Sequence, residues 1–322
     1  MHRTSLIIVG YDGAAWLPAL LNSLRVSISS DDCLVLVDNG GNEGAMPSAA
    51  EVGTLQVLKT PERMGFCGAN NFGLEQMTAD TELICFLNQD VVVQENWLSE
   101  LAKVFASDPK IGALSPAHLT YDFSRVNPNF RASIRHDRQC MSRRVNEQGW
   151  FQQDNLIAAA MVVRTSVLAE VGGFDPIFGS YCEDYDLCRR IREAGYKTGV
   201  VPASRIGHFD GSATRTRRAE LKRERQVVRN WAIHRIRSSK TRLQTTIKEV
   251  CWGMPKRLVK SLIRRPDSQH PSSVLRAWAS LISLTPRLFS KKRDDRITQS
   301  HFIALKANLK SAKPITDAWG ES

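Results

Sequence analysis

Short apolar runs alternate with amphipathic segments through the first two thirds of the chain. Runs of mostly aliphatic residues bounded by polar turns are typical of buried strands, and four of them occupy residues 5–9, 33–37, 55–58 and 83–87. Apolar residues spaced every three or four positions predict helices over residues 16–24, 68–78 and 95–106. This alternation predicts an α/β fold, with a mainly parallel sheet and helices on both of its faces.

The pattern is less regular further along the chain. Residues 120–155 are rich in Arg, Asn and Gln, so we expect loops and a hairpin there. An apolar stretch returns over 156–163, and a helix is predicted over 184–194 because Gly195 is a typical helix-ending glycine. A short strand over 198–201 completes the predicted sheet.

Charge divides the chain into two parts of opposite sign. Residues 1–212 carry 18 Lys and Arg against 25 Asp and Glu, whereas residues 213–322 carry 26 against 8. The second part reads as basic amphipathic helix interrupted by prolines 255, 266, 271 and 286. We therefore predict a catalytic domain over 1–212 and a basic, mainly helical region over 213–322, with separate roles.

Composition excludes several classes of protein. With 42% hydrophobic and 24% charged residues among 322, the chain can bury a large core and is not a disordered protein. The seven cysteines include no C-x-x-C pair, which indicates reduced thiols in a cytosolic protein. The apolar part of the N-terminus, residues 6–9, is too short for a signal peptide, and no apolar run is long enough to span a membrane.

Two aspartates follow predicted strands. Asp38 ends the second strand and Asp90 lies just past the fourth, so both fall where ligands bind in open parallel sheets. The carboxylate of Asp90 could hold a hard divalent cation that also contacts a diphosphate. Asp38 could accept hydrogen bonds from a nucleoside. The alternative for each residue is a solvated aspartate that only caps a turn.

A second acidic cluster, residues 183–186, opens the predicted helix over 184–194. On a helix, Glu183 and Asp186 face one way and Asp184 points elsewhere, so Asp184 could act as a general base on a substrate. The alternative is that all three acids only stabilise the helix N-terminus.

His208 and the glycine-containing loop over 63–71 are weaker candidates. The imidazole of His208 would suit a metal already held by Asp90, although a lone loop histidine is more often a surface or packed residue. The amides near Gly65 could approach a phosphate at the start of a helix, or could form a plain turn and cap. Gly10 and Gly13 do not complete G-x-G-x-x-G, which argues against a nicotinamide site.

Taken in order, these segments resemble the family 2 glycosyltransferases of the GT-A fold, particularly bacterial rhamnosyltransferase-like members. The resemblance covers residues 5–214, two thirds of the chain. It rests on these strings: Ile7-Ile8-Val9-Gly10-Tyr11-Asp12, Val37-Asp38-Asn39-Gly40, Gly65-Phe66-Cys67-Gly68-Ala69-Asn70-Asn71, Phe86-Leu87-Asn88-Gln89-Asp90, Val171-Gly172-Gly173-Phe174-Asp175 and Glu183-Asp184-Tyr185-Asp186-Leu187-Cys188.

The resemblance implies roles for individual residues. Asp90 stands in the family's D-x-D metal element, with Asn88 in place of the first acid, and binds Mg²⁺ or Mn²⁺ together with His208. Asp184 matches the catalytic base, and Glu183 and Asp186 lie on the acceptor side. The implied donor-binding residues are Tyr11, Asp38, Arg63, Gly65, Asn70 and Asn88. The chain departs from the family pattern at Asp12, at Gln89, where the family has proline, and at Arg63, and these departures concern the donor loops.

The resemblance also implies the reaction and its partners. The donor is a nucleotide-diphosphate sugar, with dTDP-rhamnose favoured, and the acceptor is a cell-surface glycan or a lipid-linked glycan. Asp184 takes a proton from the acceptor hydroxyl, and a single displacement inverts the anomeric centre. The protein is then cytoplasmic, with peripheral contact to the inner face of the cytoplasmic membrane.

The basic region leaves other functions open. Its Trp residues interleaved with Lys and Arg are typical of helices that lie on anionic membranes, but a helical subdomain packed on the catalytic domain would show the same charge. A nucleic-acid-binding protein would explain the charge but leave Asp90 and Asp184 unexplained, so we do not expect nucleic acid as a partner. A sugar nucleotidyltransferase on a similar sheet is a further alternative.

Overall fold

In a computed structural model of the chain, the apolar runs form one nine-stranded sheet covered by helices. The structure describes residues 3–42, 55–76, 81–136, 145–209, 216–263 and 269–289. The strands are β1 (Thr4–Gly10), β2 (Cys33–Asp38), β3 (Leu55–Lys59), β4 (Leu83–Asn88), β5 (Val91–Val93), β6 (Ile111–Thr120), β7 (Phe151–Gln152), β8 (Ala160–Arg164) and β9 (Lys197–His208). The helices are α1 (Leu17–Arg25), α2 (Phe66–Leu74), α3 (Trp97–Ser107), α4 (Pro128–His136), α5 (Thr165–Val171), α6 (Glu183–Glu193), α7 (Arg217–Ser238), α8 (Arg242–Lys248), α9 (Met254–Leu262) and α10 (Pro271–Phe289).

The sheet is parallel in one half and mixed in the other. Its strand order is β3-β2-β1-β4-β8-β6-β9-β5, with β7 paired to β9. The first four strands are mutually parallel, but β8 runs antiparallel to both β4 and β6. The chain leaves β6 and enters β8 at the same edge, so β8 must run back. β6 pairs in parallel with β9, and both run in the same direction as β1 to β4, because β8 is antiparallel to β4 and to β6. The prediction of a mainly parallel sheet therefore holds for these six strands, whereas β5, β7 and β8 run the other way.

Side chains alternate between two buried layers because strand residues point to opposite faces. On β1, Leu6 and Ile8 pack in the layer under α1 and α3, whereas Ile7 packs in the layer under α2, α5 and α6. The same alternation holds for Leu36 and Val37 on β2.

The basic C-terminal helices pack onto the second of these layers. Val228, Ala232, Ile233 and Ile236 of α7 lie in the same apolar cluster as Ile7 and are fully buried or nearly so. Ala277 and Leu281 extend this cluster into α10. In the described residues, the helices after residue 216 therefore form a packed subdomain on the sheet and not a separate unit with its own core.

The segment predicted to be irregular contains regular structure. It includes the end of β6, α4 and β7. Pro128 at the start of α4 is pre-set for a first helical turn, and Asn127 Oδ1 accepts the amides of Asn129 and Phe130. The strand predicted over 198–201 extends to His208, which therefore ends a strand. Among the described helices, none has the length and apolar character needed to cross a bilayer.

Candidate active site

The carboxyl ends of the parallel strands bring several predicted site residues to one edge of the sheet. Gly10 at the end of β1 is in register with Asp38 on β2, and Val9 is in register with Asn88 on β4. Tyr11 follows β1 directly. These residues therefore lie side by side because parallel strands finish at the same edge.

A cleft of about 320 Å³ opens at the ends of β1, β2 and β3. Its lining residues are Tyr11, Asp12, Asp38, Asn39, Gly40, Gly41, Lys59, Thr60, Glu62 and Arg63. Three of the six predicted donor-binding residues belong to this set. The cleft combines an aromatic ring, a carboxylate and cationic groups, which suits a charged, ring-containing ligand.

The turn after β2 fixes the carboxylate of Asp38. Its Oδ1 accepts hydrogen bonds from Asn42 Nδ2 at 2.6 Å and from the Gly40 amide at 3.0 Å. Gly40 and Gly41 have φ values of +100° and +72°, which glycine adopts readily, and a Cβ on Gly41 would overlap Asp12 Oδ1. Asn42 is buried and was not identified from the sequence.

Arg63 lies over the ring of Tyr11, with Cζ 3.9 Å from the ring centroid. The loop that carries Arg63 is tied to the end of β2 by Asn39, which donates to the Met64 carbonyl at 2.9 Å and accepts from the Met64 amide at 2.8 Å. Burial followed by the neighbouring Asp12 raises the pKa of Tyr11. The side of the cleft formed by Tyr11 and Arg63 is thus held by a buried amide.

Gln89 joins the ends of β1 and β4. Its side chain accepts the Tyr11 amide at 2.8 Å and donates to the Tyr11 carbonyl at 2.7 Å. A proline at this position would make neither bond. The departure at Gln89 therefore carries its own structural role, which the sequence did not reveal.

Asp90 and His208 come together at the same edge. Val91 pairs with His208 across β5 and β9, and His208 Nε2 lies 3.5 Å from Asp90 Oδ1. A carboxylate and an imidazole are ligands that suit Mn²⁺, and the carboxylate suits Mg²⁺, so this pair fits a divalent cation whose other ligands come from water and substrate. No group of three His, Cys, Asp or Glu side chains able to hold an ion occurs in the described part of the chain.

A buried histidine packs beside this pair. His118 of β6 stacks on Phe130, with ring centroids 4.7 Å apart, and meets the His208 ring edge-on at 5.9 Å. Burial, followed by the proximity of His208, lowers the pKa of His118 well below its ordinary value. His118 is therefore a neutral packing partner of His208, and the sequence analysis did not identify it.

Asp184, at the start of α6, contacts the segment that pairs with the end of β4, the strand that leads to Asp90. Its Oδ2 accepts the Ala158 amide at 3.3 Å, and the next carbonyl, that of Ala159, accepts the Asn88 amide at 2.9 Å. The side chain is half-buried, and burial raises the pKa of Asp184 to about 6. A carboxyl group with this pKa is an effective proton acceptor near neutral pH.

The residues before Asp184 have unusual backbone conformations. Tyr181 and Cys182 have φ values of +72° and +67°, a region that costs non-glycine residues free energy and is concentrated at functional sites. Glu183 is only 6% exposed, and its Oε2 has no hydrogen-bond partner among the described residues. Burial and then the charge of Asp184 raise the pKa of Glu183 well above its ordinary value.

Asp186 does not fit the predicted acceptor-side role. It is fully buried, and its two oxygens accept from Arg189 at 2.7 Å and from Arg190 at 2.8 Å. Burial alone raises the pKa of Asp186, but Arg190 and Arg189 together lower it well below its ordinary value. Arg190 also donates to the Gly173 carbonyl at 2.7 Å. Asp186 therefore orients an arginine that holds a neighbouring loop.

Two predicted donor-binding residues also lie away from the cleft. Gly65 precedes α2, and the first amides of that helix, those of Phe66 and Cys67, donate to Ser180 Oγ and to the Gly179 carbonyl. Asn70 is 2% exposed and donates to the Phe66 carbonyl at 3.0 Å. The loop before Asp184 thus satisfies the amides that were predicted to approach a phosphate.

Helix α7, the first helix of the basic region, contacts this same loop. Nδ2 of Asn230, which is fully buried, lies 2.8, 2.8 and 2.6 Å from the carbonyl oxygens of Phe178, Ser180 and Tyr181. Arg229 donates to the Phe178 carbonyl at 2.9 Å. A residue of the basic region therefore supports the backbone that leads to Asp184.

Comparison with known proteins adds family information to this geometry. A family model described as "Glycosyltransferase like family 2" matches residues 2–230. The pre-mycofactocin glycosyltransferase of Mycobacterium tuberculosis is 29% identical over 212 residues, which are 64% of this chain and 43% of that protein. The chain thus spans less than half the length of this relative. The N-acetylglucosaminyl-diphospho-decaprenol L-rhamnosyltransferase of the same organism is 24% identical, over 65% of this chain and 76% of its own.

Among solved structures, a mannosyltransferase from Pyrobaculum calidifontis in complex with GDP-Man and Mn²⁺ matches with a TM-score of 0.53 at 17% identity. The match covers 97% of this chain and 88% of that chain. This similarity shows the fold, which is the GT-A fold with helices appended after the sheet.

Proposed function

Because the chain belongs to glycosyltransferase family 2, we propose that it is an inverting enzyme that moves a sugar from a nucleotide-diphosphate donor to an acceptor hydroxyl. The proposal rests on one observation. Asp184 accepts the Ala158 amide, and the adjacent Ala159 carbonyl accepts the amide of Asn88, two residues before Asp90. The candidate base and the candidate metal-binding carboxylate therefore share one edge of the sheet.

The cleft at the ends of β1 to β3 is the proposed nucleoside site. Asp38 would accept hydrogen bonds from the nucleoside because its Oδ1 is already oriented by Asn42 and Gly40. The ring of Tyr11 and the guanidinium of Arg63 offer a planar surface and a positive charge beside it. Asn88 lies at the neighbouring strand end, toward the diphosphate.

Asp90 and His208 are the residues that would hold Mg²⁺ or Mn²⁺. Such a cation would supply positive charge that offsets the negative charge of the diphosphate, both in the donor and in the departing nucleoside diphosphate. Without it, a carboxylate edge would repel the diphosphate. The pairing of β5 with β9 keeps the two side chains together before any ligand binds.

Asp184 is the proposed base. Its carboxylate accepts the proton of the acceptor hydroxyl as that oxygen bonds to the anomeric carbon. The bond from this carbon to the diphosphate oxygen breaks on the opposite face, and the electron pair leaves with the nucleoside diphosphate. One displacement inverts the configuration. Glu183 lies buried beside the base and contributes to the acceptor side by shaping its surroundings.

The names of the relatives support a proposal for the sugar and the acceptor. We favour dTDP-rhamnose as donor because one relative is named as an L-rhamnosyltransferase, and a glycan or lipid-linked glycan as acceptor because its name includes a diphospho-decaprenol. A lipid-linked acceptor would bring the enzyme to the inner face of the cytoplasmic membrane from the cytoplasmic side.

A donor panel with one variant tests this function. Thermal shift with Mn²⁺ should show selective stabilisation by one nucleotide sugar, with dTDP-rhamnose strongest, and chelation should remove the shift. Asp184→Asn should keep that shift and lower the transfer rate by about 10²–10⁴-fold, the usual contribution of a positioned base. Full activity in Asp184→Asn would exclude the base role, and equal shifts with and without chelator would exclude the metal.

A further inference from the structure

The helical segment from Arg242 to Ile263 presents an exposed apolar stripe. α8, a π-helical turn over Glu249–Gly253 and α9 follow one another without a break, since the residues between them keep helical dihedral angles. The stripe consists of Leu243, Ile247, Trp252, Val259 and Ile263. Trp252 is 75% exposed and Ile263 is 67% exposed, and the other three side chains are each more than half exposed in the described protein.

The π-helical turn keeps the stripe on one side. Ile247 follows Leu243 by four residues, about one α-helical turn. Trp252 follows Ile247 by five residues, and it stays on the same side because the π-helical turn holds one residue more than an α-helical turn. Val259 and Ile263 then continue at seven and four residues. The opposite side, with Thr246 and Met254, is buried against the protein. Inserted π turns of this kind are frequent at functional sites.

The charges around the stripe have one sign. Arg242, Lys248, Lys256 and Lys260 are exposed beside it. The sole acid between residues 242 and 263 is Glu249, and it is buried, with both oxygens accepting from Arg235 at 2.6 Å. The exposed face therefore offers apolar side chains and positive charge with no exposed carboxylate among the residues of the segment.

We propose that this face, Leu243 to Ile263, lies in the surface of an anionic membrane. The apolar stripe would enter the boundary between headgroups and acyl chains while the flanking lysines contact anionic headgroups. Nucleic acid fits less well because the centre of the face is apolar and would contact phosphates. The proposed function enters this inference at one point only, since membrane contact would hold the enzyme beside a lipid-linked acceptor.

Vesicle sedimentation of the full chain tests the inference. We expect binding to phosphatidylcholine vesicles that contain phosphatidylglycerol and much weaker binding to phosphatidylcholine alone. Trp252→Glu with Ile263→Glu should reduce binding by about tenfold or more, and Lys256→Gln or Lys260→Gln by about fivefold each. Val26→Glu, an equally exposed apolar position on the far side of the sheet beside α1, is the matched control and should bind like wild type.

The other outcomes overturn the inference. Equal vesicle binding by Trp252→Glu/Ile263→Glu and wild type would exclude this face. Loss of a dimer in that variant, without vesicle binding by wild type, would assign the stripe to a second copy of the chain, and salt-sensitive DNA binding lost in Lys256→Gln would assign it to nucleic acid. The nucleotide-sugar thermal shift, measured on the same samples, reports separately on the proposed function.

Discussion

Asp38 and Asp184 are both acids at the sheet edge, but their surroundings differ. Asp38 is oriented by Asn42 and Gly40, which suits an acceptor of fixed hydrogen bonds. Asp184 accepts the backbone amides of Tyr185 at 2.9 Å and Ala158 at 3.3 Å, but burial outweighs these bonds and makes its ionised form less favourable. A base needs affinity for a proton, whereas a binding carboxylate needs orientation, so the two environments match two different roles.

The raised pKa of Asp184 predicts a pH profile. The base acts only when ionised, so kcat/KM should rise about tenfold per pH unit below the Asp184 pKa of about 6 and level off above it. A profile of transfer with saturating metal measures this. Glu193→Gln, which removes an exposed carboxylate from the same helix, should leave the midpoint unchanged. A midpoint near the ordinary aspartate value in wild type would contradict the assignment.

At the scale of residues, the sequence pointed to the candidate acids but not to the structural roles of the amides Asn42 and Gln89. Asp38, Asp90 and Asp184 could be named because carboxylates at strand ends and helix starts have few explanations. Asn42 and Gln89 make long-range bonds to backbone at Gly10 and Tyr11. An amide side chain gives no local pattern that reveals its distant partner, so these residues required the fold.

At the scale of elements, α7 connects the basic region to the catalytic loop. Asn230 faces three carbonyls of the segment 178–181. Tyr181 in this segment and the next residue, Cys182, have left-handed conformations that are costly without support. The loop in turn covers the start of α2 through Gly179 and Ser180. A substitution in α7 that shifts this loop should therefore also shift the backbone that positions Asp184.

Asn230 should act as a positioning residue. Asn230→Ala should lower kcat by about 10–100-fold, since small displacements of a base are costly, while KM for the donor stays within about twofold. Asn230→Asp should be worse than Asn230→Ala because an acceptor would then face three carbonyl oxygens. Steady-state kinetics with both variants measure this order.

The control for that experiment lies two turns earlier on α7. Lys222→Ala changes an exposed side chain on the same helix and should leave kcat near wild type. If Asn230→Ala lowered kcat and donor affinity by the same factor, the variant would have lost structure generally, and this result would contradict a positioning role.

The sequence predicted the strands best where helices cover both faces of the sheet. β1, β2 and β4 are continuous apolar runs between helices, so their pattern is unambiguous. The pattern did not predict β6, which contains Pro116 and shifts register there. It predicted only the first part of β9, which contains Pro202. Proline and polar residues hide a strand from pattern analysis, because tertiary pairing across the sheet decides its extent.

At the scale of the whole molecule, charge suggested a boundary that packing does not respect. The sign of the charge changes near residue 212, but the apolar residues of α7 enter the core shared with β1 and β4. Arg237 also forms an ion pair with Asp175, joining α7 to the loop before Asp184. Surface charge influences which partners a protein meets in solution, whereas buried contacts decide which elements unfold together.

Shared burial predicts that the sheet and α7 unfold together. Ile233 is fully buried in the common core, so Ile233→Ala should remove about 2–5 kcal/mol from the free energy of unfolding. Scanning calorimetry should then show one transition that moves as a whole by several degrees. Ile247→Ala, at an exposed position on α8, should change stability by no more than about 0.5 kcal/mol. A second, lower transition that alone responds to Ile233→Ala would mean that the basic helices fold independently of the catalytic sheet.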